Sequence, residues 1–186
     1  MDLPEIKKIL KKKANKKAKE SFEKFIPLAG KIYGVRIPVL NDIARKIKEP
    51  NFDLIEKLWK EGSLEEKLLA GKILGIIGKK DPEKTMRLIK KMSKGVSDWA
   101  VCDTLGTQGV RQIAGNCQKE IFNLAKKYIP SKNLWQRRFG IVLLIELNRR
   151  GLDKKEAWKL AERIKDDKRP YIKKALEWLN NELKKH

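Results

Sequence analysis

A chain of 186 residues, 41% of them hydrophobic, suits one domain with a sizeable core and is too apolar for a disordered tail. Lysine and arginine total 45 against 24 acidic residues, and the formal net charge of +21 implies a polyanionic partner or, on the plainer reading, a lysine surface that serves solubility. One histidine (His186, the last residue) and two cysteines (Cys102 and Cys117) set aside histidine triads, zinc clusters and a disulfide framework, which leaves carboxylates as the usable chemistry.

Glutamate does not keep pace with lysine as it does in thermophile ion-pair surfaces, which favours the binding reading. Both cysteines read as buried thiols in a reducing, cytoplasmic setting. No apolar run approaches the roughly 18 residues of a membrane span, and the start MDLPEIKKILKKK lacks the apolar stretch of a secretory signal.

In chain order, residues 1–24 read as one lysine-heavy helix with Pro4 in its first turn and Phe22, Phe25 and Ile26 closing it on apolar ground. A loop with Gly30 and Gly34 follows. Pro38 opens a helix through about Lys48, and Asn51 or Asp53 caps a short one carrying Leu54, Ile55, Leu58 and Trp59. The run LEEKLLAGKILGII, Leu64 to Ile77, is helical by its period despite Gly71 and Gly75. Asp81-Pro82 starts the next helix and Ser97 the one after; the remainder predicts helices near 116–129, 133–149, 153–165 and 169–184, separated at Pro130, Gly151 and Pro170.

No alternating strand pattern occurs. The stretches EKLLAGKILGII, DWAVCDTLGTQ, LWQRRFGIVLL and PYIKKALEWLN are weakly self-similar, and their starts at Glu66, Asp98, Leu134 and Pro170 lie 32, 36 and 36 residues apart. A period in the mid-thirties built of helix pairs predicts a single all-α domain over residues 1–186, a right-handed α-solenoid of HEAT-like repeats with a basic concave face. A helical bundle without true repetition is the alternative, because the similarity lies mostly in apolar spacing.

Some residues sit where a core does not explain them. In the helix after Ser97, Val101, Cys102 and Leu105 form the inward face, while Trp99 and Asp103 are four apart on a stripe roughly 130° away on ideal geometry. An aromatic beside a carboxylate, both turned from the core, suits a ligand surface, although a Trp folded over a neighbouring repeat beside a solvated Asp accounts for it as well. The last helix repeats the arrangement: Ile172, Leu176, Leu179 and Leu183 face inward, and Tyr171, Lys174 and Trp178 share another stripe. Between them, Arg138 falls on the apolar stripe of Leu134, Ile141 and Ile145, where its guanidinium needs an anion: a phosphate, Asp103, or solvent beyond the first turn. Arg137 points elsewhere and reads as a surface residue.

On YGVRIP (Tyr33 to Pro38), DWAVCD (Asp98 to Asp103), LWQRRFG (Leu134 to Gly140) and YIKKALEW (Tyr171 to Trp178), in that order and spacing, the chain resembles the AlkD-like, HEAT-repeat DNA glycosylases. The resemblance runs from about residue 20 to the C-terminus, and the combination of Trp99, Asp103, Arg138 and Trp178 is its most specific part. It implies excision of cationic N3- or N7-alkylated purines from duplex DNA, with Asp103 stabilising the developing sugar cation and orienting water. Trp99 and Trp178 would contact the deoxyribose through their π faces, and Arg138 would hold a phosphate with Tyr171 and Lys174 beside it on the DNA. No metal or other cofactor is implied, and a monomer is expected. Two other readings stand beside it: a non-catalytic binder of damaged, bent or branched DNA, and a protein-interaction scaffold for an acidic partner.

Overall fold

In the computed structural model, which describes residues 1–186 apart from Pro27, Lys48, Pro50, Leu152, Asp153 and His186, the described chain is helical and contains no strand. Among the described residues eleven α-helices follow one another: α1 Leu3–Lys13, α2 Lys16–Phe25, α3 Ile37–Lys46, α4 Phe52–Glu61, α5 Leu64–Ile77, α6 Pro82–Met92, α7 Trp99–Asp103, α8 Gln118–Tyr128, α9 Leu134–Asn148, α10 Lys154–Ala161 and α11 Pro170–Leu183. None of the described helices is long and apolar enough to cross a membrane.

Local capping sets most of the boundaries. Ser63 and Glu66 close a reciprocal capping box at α5, and Asn51 and Asp81 accept from Leu54 N and Lys84 N at the starts of α4 and α6. The single helix expected over residues 1–24 is two helices. Asn15 breaks it by capping α2 through Ala18 N at 3.0 Å while its own N–H donates to Gly34 O at 3.0 Å. Gly34 has φ +89°, and a Cβ there would meet Asn15 O at 2.6 Å, so only glycine lets the loop dock on the break. Buried Glu65 fixes that loop by accepting the backbone N–H groups of Tyr33, Gly34 and Val35.

The helix expected from Ser97 begins at Trp99, with Asp98 as its cap. The one expected over 153–165 gives way after Ala161 to a 3₁₀ turn, Glu162–Ile164; its expected start at Asp153, and the expected end of α3 at Lys48, lie outside the described residues. Cys102 is fully buried, whereas Cys117 is only partly so, which corrects its expected burial.

Two helices, α5 and α9, are buried nearly all round, because each is covered on both sides. α5 packs on α3 and α4 and, on its other flank, on α7 and the π-helical turns that continue it, Thr104–Gly109; these in turn pack on α9, which packs on α8 and α11. The four self-similar stretches thus stand side by side in chain order.

Glycine explains why α5 tolerates its two breaks in propensity. A Cβ on Gly71 would lie 3.2 Å from Thr104 Cγ2, and one on Gly75 would lie 2.1 Å from the backbone oxygen of Gln108. At Gly75 only bare backbone permits this approach. On the other side, a Cβ on Gly106 would meet Val142 Cγ1 at 2.7 Å. The widened turn after Asp103 is wedged between α5 and α9, and the Thr107 hydroxyl takes up the Asp103 carbonyl at 2.7 Å.

Gly75→Ala is expected to destabilise the fold by about 2–3 kcal/mol, the upper part of the overpacking range, because the obstructing atom is backbone and cannot rotate away. A urea unfolding curve checks this through a lowered midpoint at unchanged slope; an unshifted midpoint contradicts the close α5 contact.

Candidate active site and nucleic-acid interface

Asp98 is 1% exposed and spends its side chain on the α7 terminus, accepting Val101 N at 2.9 Å. Burial pushes its carboxyl above the ordinary range, against the lowering pull of that backbone N–H. With α7 started there, Trp99 occupies the first helical position and Asp103 the last. Trp99 is half-buried, and its indole N–H donates to Phe25 O at 2.9 Å, which ties the end of α2 to the start of α7.

Asp103 meets Arg138 of α9 edge-on. Nε donates to Oδ1 at 2.9 Å and Nη2 to Oδ2 at 2.7 Å, while Nη1 donates to the Tyr171 carbonyl at 2.6 Å. Their side chains are 19% and 7% exposed. Burial pushes the Asp103 carboxyl up, and the Arg138 hydrogen bonds and charge pull it down without fully offsetting the desolvation. The guanidinium is held above its ordinary value by Asp103 despite its own burial. One side chain therefore binds α7, α9 and α11 together.

In α11, Tyr171 packs its ring on Trp135 at a centroid distance of 5.0 Å, and Lys174 is exposed. Trp178 is half-buried with its N–H 3.4 Å from Glu182 Oε1 and Arg149 over its face at 5.6 Å. Hydrogen bonds from Arg149 and Lys185 hold the Glu182 carboxyl down at about 2. The inner face of this helix differs slightly from expectation: Ile172 and Leu179 are buried, whereas Leu176 and Leu183 are only partly so. Arg137 is not the expected surface residue: it is 18% exposed, pairs with Asp167 at 2.6 Å and donates to Ser131 O, clamping the turn before α9.

All six residues singled out in the sequence, Trp99, Asp103, Arg138, Tyr171, Lys174 and Trp178, line one cleft of about 930 Å³. The rest of its lining escaped the sequence reading. Phe22 and Phe25 of α2, Ile37 of α3 and Lys72 of α5 belong to it. Phe25, 63% exposed, reads in the sequence as an apolar helix end, and only its place on the lip of the cleft separates it from a core residue. Lys72 carries a legible signal, a cation within an apolar run. Among the described residues no group of histidine, cysteine, aspartate and glutamate side chains is placed to hold a metal ion.

The site is thus an aromatic-walled cleft with one carboxylate, on an all-helical, strongly basic chain. The family model described as DNA alkylation repair enzyme matches residues 6–186, and the chain belongs to this AlkD-like family, whose partner is DNA. A search of curated proteins and one of solved structures each returned no match.

Arg138→Ala is expected to lower stability by about 2–4 kcal/mol, near the usual loss for breaking a buried pair, because Asp103 keeps its charge and loses its counter-ion. Without the guanidinium the Asp103 pKa rises further. Since a raised folded pKa gives stability that is present below the unfolded value of about 3.9 and lost as pH rises through the folded one, the deficit should be greatest near neutrality and shrink on acidification. Thermal melts across pH check this; a deficit independent of pH assigns the loss to packing alone.

Proposed function

We propose that this protein is a DNA glycosylase that excises N3- or N7-alkylated purines from duplex DNA, as the resemblance implies. The observation that carries this reading is Asp103, desolvated and held edge-on by Arg138 in a cleft that also presents Trp99 and Trp178. An alkylated purine is already cationic. When its glycosidic bond breaks, the electron pair leaves with the base, the base becomes neutral and the positive charge passes to the sugar. A carboxylate short of solvation stabilises that charge more than a hydrated one would. Water oriented by Asp103 then adds to C1′ and passes its proton to the Asp103 carboxylate, which returns it to solvent, completing hydrolysis by the chain's own residues with no metal or other cofactor.

The indole face of Trp99, and the face of Trp178 that Arg149 does not cover, attract the same cation. Arg138 has five N–H groups and gives three of them to Asp103 and Tyr171, which leaves two for a DNA phosphate. Tyr171 and Lys174 extend that contact along the backbone. The side-by-side order of α5, α7, α9 and α11 supports the finer architecture, a right-handed HEAT-like solenoid whose concave face is basic and receives the duplex. The protein acts as a monomer in the cytoplasm, where it meets the nucleoid.

Incubation with methylated duplex followed by chromatography of free bases tests the activity. Wild type should release methylated purine, and Asp103→Asn should release none while retaining DNA, since the amide keeps the size but loses the charge. The wild-type rate should fall on acidification with a midpoint above the ordinary aspartate value of about 3.9, because burial raises the carboxyl that must be ionised. Retention of duplex by wild type without base release would move the protein to the non-catalytic reading. Equal excision by wild type and Asp103→Asn would remove Asp103 from the mechanism.

Binding should also weaken steeply with salt, with a log-log slope of roughly −0.9 for each phosphate neutralised. A titration flat between low and moderate salt contradicts a cationic DNA-binding face.

A further inference from the structure

Lys72 interrupts the apolar surface of α5 and is 6% exposed. Its ammonium donates to Asn41 Oδ1 at 2.7 Å and to Gln108 Oε1 at 3.1 Å. Arg138, the other buried cation, has Asp103; Lys72 has no carboxylate within ion-pair distance among the described residues. Burial and the nearby Arg111 push its pKa down. An apolar side chain would cover the same surface without that desolvation, so structure alone does not account for a lysine here.

The geometry around Lys72 gives it another use. An ammonium only donates, so both amide oxygens must face Nζ and both NH₂ groups must turn away from it. Neither NH₂ group reaches a protein acceptor among the described residues. Asn41, Lys72 and Gln108 border a second cavity of about 210 Å³, with Arg45 and Arg111 also on its wall. Asp42 pairs with Arg45 at 2.5 Å, and Glu146 faces Arg111 at 3.9 Å. Glu146 is shared with Arg149 and Arg150 at 3.6 and 3.4 Å, and Arg149 also pairs with Glu182 at 3.0 Å, so two carboxylates serve three guanidinium groups and the surplus stays positive. Lys72 and Gln108 also line the main cleft, which makes the two spaces neighbours.

We propose that this second cavity binds a DNA phosphodiester on the strand that runs past the lesion, held by the Asn41 and Gln108 amides and the Lys72 ammonium, with Arg45 and Arg111 at its rim. The proposal rests on the duplex lying in the main cleft but not on any base being excised. Two orienting hydrogen bonds preset the amides before DNA arrives, so little order is lost when the phosphate docks. Close packing of Gly75 on Gln108 brings α5 and the π turns near enough for Lys72 to reach both amides.

Lys72→Met and Asn41→Asp test it from opposite directions. The first removes the buried charge and the second supplies the missing counter-ion, so both should melt at or above wild type. Each should bind unmodified duplex roughly tenfold more weakly, the loss expected for a charge-assisted contact, and Lys72→Met should show a salt slope shallower by about 0.9. A duplex with one tetrahydrofuran abasic analogue fixes the register, and single methylphosphonates then neutralise its phosphates in turn. At one position the neutral linkage should weaken wild type roughly tenfold and leave Lys72→Met unchanged.

Wild-type affinity and slope in Lys72→Met, or additive losses at every methylphosphonate position, would overturn the proposal and leave Lys72 as a strut between α3 and the π turns. A wild type that grips duplex but releases no methylated base defeats the glycosylase reading while this site stands.

Discussion

The largely buried pair of Asp103 and Arg138 is the constraint on which the rest of the cleft depends. Three N–H groups of one guanidinium reach a carboxylate at the end of α7 and a carbonyl at the start of α11, from a helix between them. Such a pair is weak evidence for stability, since desolvating both ions offsets most of their attraction, and well-packed apolar residues often serve as well. Its value is positional. The planar guanidinium fixes the carboxylate in direction as well as distance, which a lysine at the same place could not do.

Around that pair the protein separates two kinds of positive charge. Lysines on the outer helices are solvated, screened by salt and suited to long-range attraction of a polyanion. Among the described residues Arg138 and Lys72 are the buried cations, each held by hydrogen bonds, and both line the cleft. Their fields are screened far less. The walls between them are largely aromatic and aliphatic, supplied by Phe22, Phe25, Ile37, Trp99 and Trp178, so water that would weaken the central carboxylate is partly excluded.

Backbone packing makes this arrangement possible. The π turns leave Asp103 and Gln108, five residues apart, one widened turn from each other, with Asp103 engaged by α9 and Gln108 by α5. Regular α-helical geometry would rotate Gln108 farther round the axis. Gly75 on one side and Gly106 on the other admit the widened segment at separations too short for a Cβ, and Gly71 leaves only a tight fit beside Thr104. Glycines that weaken helix propensity in α5 are what bring its lysine to the site.

Helix positions were legible in the sequence because their signals are local: apolar residues at helical spacing, Ser63 with Glu66, and Pro82 behind Asp81 each act within one turn. The surplus aromatics and the misplaced arginine were legible too, since Trp99, Trp178 and Arg138 contradict the pattern of their own helices. The break at Asn15 was not, because its decisive partner is Gly34 O, nineteen residues on. The choice of anion for Arg138, left open between a phosphate, Asp103 and solvent, needed the approach of α7 to α9, and the amide partners of Lys72 needed α3 and the π turns to converge on α5. The sequence by itself determined which faces are apolar, where helices start and that the surface is cationic, because periodicity, capping and charge are properties of neighbouring residues. Only the tertiary structure decided which carboxylate meets which cation, since hydrogen bonds form between atoms about 3 Å apart and sequence spacing alone does not specify which distant helices come that close.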